Sequence, residues 1–580
     1  LSARVATGTI APMTSVDRTV RPSFTKSLFA GRIASELAFP YPRMSAAEAA
    51  RVETVSASAR EVLADYDPLE AERRGWIGDD TVRALGERGL MGLFVAEEYG
   101  GLGLSQTAYC RVYEEFGRVD GTLATVMGVH QSIGTKPLHL YGTDDQKARW
   151  LPDLASGRKL AAFVLTEPNV GSDAYALETR AERQSDGSWL LNGEKRWIGN
   201  GDKDVLTVFA QSDLGHVALI VEKGMDGLST GPRFETHGLK ANHLQRVRFR
   251  DVRVPAENLL GEPGDGFRIA VNTLNNGRMS MGTAIAGGMK RFLELSLEHT
   301  EARHQFGRPL ADFEMVGDKL AWMTQQIYGV ESMSYLTTGL VDRGDTDFAL
   351  ESAMTKVTAS DTGWYALNRA VQLHGGEAYM EGHPLSKALR DFRIFPIFEG
   401  ANDVLRAFVA LNGLKALSEE LPDVASLRIG DPGRAIGVLA PYVTGRVQRR
   451  LRPERPVGVH PQLARAASEV GDQVSQLRDR AEGALRRHGK AVQEAQLVQK
   501  RLAEAASGIY AQTAVLSRAS AALEEARADS DAERRLAVGF CKQSARQVAR
   551  QLRALEVNDD RHVTALAAAT RASGGYSFRL

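Results

Sequence analysis

The 580-residue sequence has only two cysteines, Cys110 and Cys541, so neither a disulfide framework nor a cysteine zinc site can be built, and a reducing compartment fits best. It has no apolar run near the roughly 18 residues that mark a membrane-spanning helix. It has no excess of either charge, with 72 Lys and Arg against 72 Asp and Glu, which excludes the strongly basic composition of a general nucleic-acid binder. Its Ala-rich C-terminal stretches carry no sustained heptad, so a packed bundle is expected there rather than a coiled coil. No initiating Met is present.

What is present points to several packed units, because a chain of this length exceeds what one core organises. Residues 1–35 hold Arg4, Arg18, Arg21, Lys26 and Arg32 against the single acid Asp17, among many Ser and Thr. That composition suits a mitochondrial transit peptide and equally a disordered leader. Basic residues outnumber acids after position 420, so an acidic body precedes a basic tail.

Helical spacing dominates from 45 to 160, as in "DDTVRALGERGLMGL", and "QKARWLPDLASG" closes on a glycine stop. Between 161 and 263 the period changes: "KLAAFVLTEP", "SWLLNGEKRWIG", "DVLTVFAQ", "HVALIVEK" and "QRVRFRDVRVPAENLLG" predict a small antiparallel β-domain. Long helices return over 264–415. A Pro- and Gly-punctuated linker is expected over 416–429, and a further α-helical domain over 430–580, while residues 1–44 read as an N-terminal leader or arm. The predicted fold class is therefore mainly α with a central antiparallel β-domain.

Two stretches of the β-region, "LTEPNVGSDA" (165–174) and "NGEKRWIGNG" (192–201), place backbone donors, a hydroxyl and an indole where strands end, a combination suited to a flat heteroaromatic ring. Taken singly, Gly171-Ser172-Asp173 is a turn and Trp197 a core aromatic. Further on, "FPIFEGANDVLR" sets Glu399 between Phe398 and Gly400. Such a carboxylate is either an acid near the start of the following helix or a base dried by Ile397 and Phe398, with Gly400 allowing a ligand close to the backbone.

These motifs, with "RHQFGRPL", "QLHGGEAYM" and "LRDFRIFPIFEGAND" in the order helical, β, helical, resemble the acyl-CoA dehydrogenase family from about residue 25 to 413. "KSLFAGRIASELAFPYP", "FVALNGLKAL", "HPQLARAASEV" and "QKRLAEAASGIYAQTAVLSRAS" resemble its very-long-chain subgroup and that subgroup's assembly-factor relative, which carry an added C-terminal helical domain. The resemblance implies FAD-dependent α,β-dehydrogenation of long or very long fatty acyl-CoA to the trans-2-enoyl-CoA, with electrons passed to electron-transfer flavoprotein. Glu399 stands at the position of the catalytic base.

By the same matching, Phe163, Leu165, Thr166, Gly171, Ser172, Trp197 and Gly199 fall where the family lines the flavin ring. Arg303, Gln305 and Phe306, with Gln372, Gly375 and Gly376, fall where it holds the FAD of a neighbouring subunit. Ala401, Asn402 and Asp403 fall near the nucleotide. Ser172, Asn275, Arg278, Phe398 and Gly400 fall around the substrate, Arg278 near the pantetheine and phosphates of CoA. Gly128, in "TVMGVHQSIG", lies by the pocket floor, where a small residue leaves room for a long tail.

The chain departs from the family pattern at three places. Gly199 replaces a Thr or Ser whose hydroxyl reaches the flavin, a contact worth about 1 kcal/mol. Ala378 replaces a glycine of the nucleotide turn, and Ala401 replaces a threonine.

The stretch 435–456 joins apolar "AIGVLAPYV" to Arg446, Arg449, Arg450, Arg452 and Arg455, a pattern suited to an anionic lipid surface or to a solvated interdomain loop. Because the subgroup is peripheral to membranes and dimeric, the resemblance implies a homodimer on the mitochondrial inner membrane or, in a bacterium, at the cytoplasmic membrane surface. Two other readings stay open: an acyl-CoA oxidase, and a respiratory-complex assembly scaffold with reduced turnover.

Overall fold

A computed structural model describes residues 21–421 and 444–578. The chain divides into two compact units, one of residues 41–405 and one made from residues up to 40 together with 406–580.

In the unit of residues 41–405, the helix Gln106–Val119 packs along the 37-residue helix Gly266–Ala302. The helices Glu314–Asp342 and Ala349–His374 complete the bundle against that long helix. Close approach is bought with small residues: a Cβ on Gly117 would fall 2.5 Å from Ala284 Cα, and one on Gly287 would fall 3.0 Å from Arg118 N. The helix Gln106–Val119 keeps the 3–4 spacing of an amphipathic helix, whereas the long bundle helices are buried on every side over 275–289, 327–340 and 350–357.

The β-region comprises β1 (Ala161–Val164), β2 (Arg180–Arg183), β3 (Trp189–Gly199), β4 (Val205–Ser212), β5 (Gly215–Glu222), β6 (Leu228–Thr230), β7 (Leu244–Val254) and β8 (Leu259–Leu260). The path runs β6-β7-β3-β2-β4-β5-β8, with β1 beside β4. Most pairings are antiparallel, as the alternation predicts. Two are not: β1 pairs with β4 in parallel from Ala161↔Val205 to Val164↔Val208, and β2 joins β4 in parallel at Arg180↔Gln211. The reason is geometric. Both pieces use the same edge of β4, and residues 165–179 leave the sheet between them as an excursion that carries "LTEPNVGSDA".

A buried ion cluster joins three parts of this unit. Lys387 Nζ donates to Asp120 Oδ1 and Asp391 Oδ2, each at 2.5 Å, Tyr66 OH donates to Asp120 Oδ2 at 2.9 Å, and Leu239 N–H donates to Asp391 Oδ1 at 2.6 Å.

In the second unit, the helices Ala464–His488, Gln496–Glu524 and Ser530–Ala554 form the expected bundle. Phe24, Leu28 and Phe29 are buried within it, Phe24 lying 5.5 Å from the Tyr510 ring. The leader or arm drawn over 1–44 therefore contains folded chain from Phe24 onward, since these aromatic and aliphatic side chains leave water there. Residues 1–20 lie outside the described residues. The helix Asn402–Glu420 likewise runs into the stretch read as a linker from 416.

Candidate active site

The segment after Phe398 turns back on itself through two consecutive left-handed residues, Glu399 (φ 58°) and Gly400 (φ 95°). Glycine enters that region freely, whereas a glutamate does so at a cost of about 1–3 kcal/mol and needs surroundings that hold it there. The holders are two buried cations. Arg278 Nε donates to Glu399 O at 3.0 Å, and Lys356 Nζ donates to Gly400 O and to Asn402 Oδ1, both at 2.8 Å. Asn402 in turn donates to Ser360 Oγ at 2.9 Å and to Asp361 Oδ1 at 2.8 Å. Arg278 is fixed by its own Nη1 on Asn275 Oδ1 at 2.7 Å, and Ser352 Oγ holds Asn275 O at 2.5 Å.

The turn swings the carboxylate inward. Glu399 Oε2 is buried and accepts no hydrogen bond. Gly277 makes its space, since a Cβ there would lie 3.3 Å from that oxygen and 2.7 Å from Ile133. Burial raises the Glu399 pKa, opposed by the charges of Arg278 and Lys356. Burial also lowers Arg278 to about 10. Phe398 packs edge-on against Phe395 at 5.2 Å. Ile397, expected to help dry the base, is 51% exposed, whereas the buried Ile133 borders Gly277 beside the carboxylate.

The Arg278 guanidinium is buried and bound to Glu399 O and Asn275, so it props the base turn.

A second cluster forms where strands end. A register shift in β3 between Lys195 and Ile198 puts Trp197 in a left-handed conformation (φ 60°), which turns a side chain of an interior strand outward. Its indole is 50% exposed, with the Arg196 guanidinium 4.4 Å from the ring. Arg196 N–H donates to Thr166 O at 2.9 Å, which brings the 165–179 excursion beside β3. Phe163 and Leu165 are buried behind it, Thr166 is half-buried, Gly171 and Ser172 are exposed, and a Cβ on Gly171 would meet nothing. At Gly199 a Cβ would lie 3.1 Å from Val129 Cγ2, so a side chain there would press on that methyl.

The excursion is anchored by a pair the sequence reading did not single out. Lys195 Nζ, fully buried, donates to Glu167 Oε1 at 2.8 Å, Leu165 O at 2.9 Å and Phe209 O at 2.7 Å. Glu167 accepts from Thr179 N–H at 3.0 Å and Glu178 N–H at 2.5 Å. Lys356 was missed in the same way. The polar surroundings in "ESAMTKVTAS" gave no signal that this lysine is buried. A turn of π-helix over Val129–Thr135 supplies Val129 and Ile133 to the two clusters. It is tied to β1 by the neutral imidazole of His130, which accepts from Ala161 N–H at 3.0 Å and donates from Nε2 to Leu154 O at 3.1 Å.

The remaining candidates stand apart from Glu399. Arg303, Gln305 and Phe306 occupy an exposed hairpin after the long helix, Phe306 being 94% exposed. Gln372, Gly375 and Gly376 form an exposed turn at the end of the helix Ala349–His374. The helix ends that carry these two groups meet through His299 and His374, stacked at 4.4 Å. Ala401 is half-buried and Asp403 exposed.

Comparison with known proteins bears on these clusters. Residues 45–158, 162–252 and 264–414 match the family models of the acyl-CoA dehydrogenase N-terminal, middle and C-terminal domains, and residues 461–575 match the ACAD9/ACADV C-terminal domain. The very long-chain specific acyl-CoA dehydrogenase of Macaca fascicularis is 37% identical over 565 residues, covering 93% of this chain and 85% of its own. The chain belongs to the acyl-CoA dehydrogenase family. The human very long-chain specific enzyme is likewise 37% identical, over 92% of this chain and 84% of its own. Among solved structures, an acyl-CoA dehydrogenase of Bacillus anthracis complexed with FAD superposes with a TM-score of 0.81 at 29% identity, covering 93% of this chain and 94% of that one. As an acyl-CoA dehydrogenase family member the chain is an oxidoreductase.

Proposed function

We propose that the chain removes two hydrogens from the α and β carbons of a long-chain fatty acyl-CoA, with FAD as cofactor and Glu399 as the base. The observation that carries this reading is the buried, unpartnered Glu399 Oε2, held in a left-handed turn by Arg278 and Lys356. A carboxylate placed so is a raised-pKa base without competing donors, suited to a weakly acidic C–H. It takes the proton from the carbon α to the thioester. Arg278 and Lys356 keep the carboxylate ionised enough to act and fix the backbone on either side of it.

The second cluster fits FAD. The half-exposed indole of Trp197 gives a flat apolar wall, the open side of Gly171 leaves room, and Thr166 and Ser172 offer hydroxyls. Bound FAD supplies the acceptor for the hydride that leaves the β carbon. Trp197, Phe163, Leu165 and Thr166 would hold its ring, and Asn402 and Asp403 would lie by the nucleotide. The exposed Arg303, Gln305 and Phe306, together with Gln372, Gly375 and Gly376, would meet the FAD of a second copy in a homodimer.

Electron-transfer flavoprotein is the proposed acceptor; a solved electron-transferring flavoprotein chain of Acidaminococcus fermentans is 31% identical with a TM-score of 0.60. The mitochondrial relatives favour a mitochondrial setting. No helix among the described residues is long and apolar enough to cross a membrane, and a peripheral membrane contact is proposed only through 435–456. Residues 435–443 lie outside the described residues. Of the arginines there, Arg446 and Arg450 pair with Asp479 and Arg455 with Asp472, so lipid contact would fall chiefly to Arg452 and Leu451, both exposed.

Anaerobic mixing of the FAD-loaded protein with palmitoyl-CoA tests the proposal. Bleaching of the flavin, absent in Glu399→Gln at equal FAD content, is the expected result. An unbleached, FAD-loaded wild type across acyl-CoA lengths overturns it.

A further inference from the structure

Three histidines meet where the exposed hairpin and the exposed glycine turn are joined. His299 lies in the last turn of the helix Gly266–Ala302, and the buried His374 ends the helix Ala349–His374. Their rings stack with centroids 4.4 Å apart and planes 25° from parallel. His383, the residue before the helix Pro384–Phe392, lies edge-on to His374 at 5.2 Å. The rings meet through faces and edges, and no group among the described residues is arranged to hold a metal ion.

Two hydrogen bonds fix where the protons sit. His374 Nδ1 donates to Ala370 O at 2.8 Å. His383 Nδ1 accepts from Leu385 N–H at 3.2 Å, so it caps the helix Pro384–Phe392 with a lone pair that only a neutral ring has. A proton there would remove the acceptor and set a positive charge at a helix N-terminus, where the dipole opposes it. That charge would also face His374 and His299. Of the charged groups around the stack, Arg303 opposes a proton on His299. Glu377, with Oε2 3.8 Å from His299 Nδ1, favours one, but its side chain is 67% exposed and its pull is screened. Burial, His374 and His299 hold His383 below the usual histidine range, and burial, His374 and Arg303 do the same for His299.

We propose that His299, His374 and His383 form an acid-sensitive clasp, closed while the three rings are neutral and opened by mild acid. Opening would loosen the hairpin of Arg303, Gln305 and Phe306, the turn at Gly375 and Gly376, and the start of the helix Pro384–Phe392 together. The clasp stands on its own geometry. Its consequence, a weaker hold on the FAD of a second copy as the pH falls, rests on the function proposed above.

Hydrogen exchange of the FAD-loaded full chain between pH 8 and pH 5, read by mass spectrometry over residues 375–386 and corrected for the intrinsic rate, tests the clasp. The open form binds more protons than the closed one. Protection should therefore be flat above the ordinary histidine pKa of about 6.5 and fall below it, by up to about tenfold per proton for each pH unit. A fall of about tenfold or more by pH 5 is expected. His383→Asn keeps a capping acceptor and cannot charge, so it should match wild type at pH 8 and remove most of the fall. His299→Gln removes one titrating ring and should make the fall shallower, which keeps the test open should His383→Asn fold poorly. Flat protection in wild type, or a fall of equal size in both variants, overturns the clasp. FAD released in acid by wild type and kept by His383→Asn supports the consequence. Protection that falls while FAD stays bound overturns that consequence alone and leaves the clasp standing.

Discussion

Glu399 is unfavourable twice over, in its left-handed backbone and in its buried charge, and both costs have measurable consequences. An acid whose pKa is raised on folding destabilises the protein at pH values above that pKa, and the cost vanishes below the ordinary carboxylate range. Glu399→Gln should therefore raise the melting temperature at neutral pH, with the gain shrinking as the pH falls towards that range, while kcat drops by at least about 10². Differential scanning calorimetry across pH, beside stopped-flow reduction, checks both halves. The acidic limb of the kcat profile should lie above the usual carboxylate range, because the base must be ionised to work. Lys356 opposes that rise through its charge, so Lys356→Met should move the limb to higher pH, whereas a purely structural lysine would leave it in place. The sequence singled out Glu399 as a carboxylate between an aromatic and a glycine, but only the matched motif ranked the base reading above that of a helix-start acid. Lys356 was not legible, since one lysine within a helical stretch reads the same whether it faces water or a backbone carbonyl 44 positions away. The exposure of Ile397 was equally hidden, because the turn that reverses the chain there depends on a left-handed glutamate.

At the scale of elements, the excursion between β1 and β2 holds its shape through a lysine and a glutamate that are both buried. Burial lowers Lys195 to about 8 against the pull of Glu167. Removing one partner strands the other, so Lys195→Met should cost about 3–5 kcal/mol in chemical denaturation and lower FAD affinity with it. Gly199→Ser, which restores a hydroxyl, should lose about 1–3 kcal/mol by pressing on Val129, and Val129→Ala should recover most of that loss. Strand and helix positions followed the periods in the sequence. The parallel joins of β1 and β2 to β4 did not, since alternation reports which face is buried and carries nothing about strand direction. The π-turn at Val129–Thr135 also escaped notice, as nearly all of its residues are buried and leave no polar face whose shift could be read.

At the scale of the molecule, the helical–β–helical order and the added helical domain could be read from the succession of periods and from the matched motifs. The packing of Phe24 could not be read from composition, because "SFTKSLF" has the make-up of a leader until its aromatics find a core, although the matched motifs begin at about residue 25. Phe306, 94% exposed beside Arg303 and Gln305, is where the proposed second copy would sit. Phe306→Asp should change the melting of the FAD-free protein little, since a side chain so exposed, touching only the edge of Phe313 among the rings, contributes little to its own fold. Analytical ultracentrifugation should then show a lighter species that retains less FAD; a variant of unchanged mass and FAD content would remove this hairpin from the dimer contact.

The cluster of Lys387, Asp120 and Asp391 has a consequence for how the larger unit comes apart. Its hydrogen bonds tie Tyr66, a residue before the helix Gly121–Gly128, a loop ahead of β7 and a late helix of the bundle to one buried point. None of these four segments can open alone without exposing or orphaning polar groups that belong to the others. Residues 41–405 should therefore melt as one cooperative block, with no populated state in which the sheet has unravelled and the bundle has survived, although three separate family domains can be traced along them.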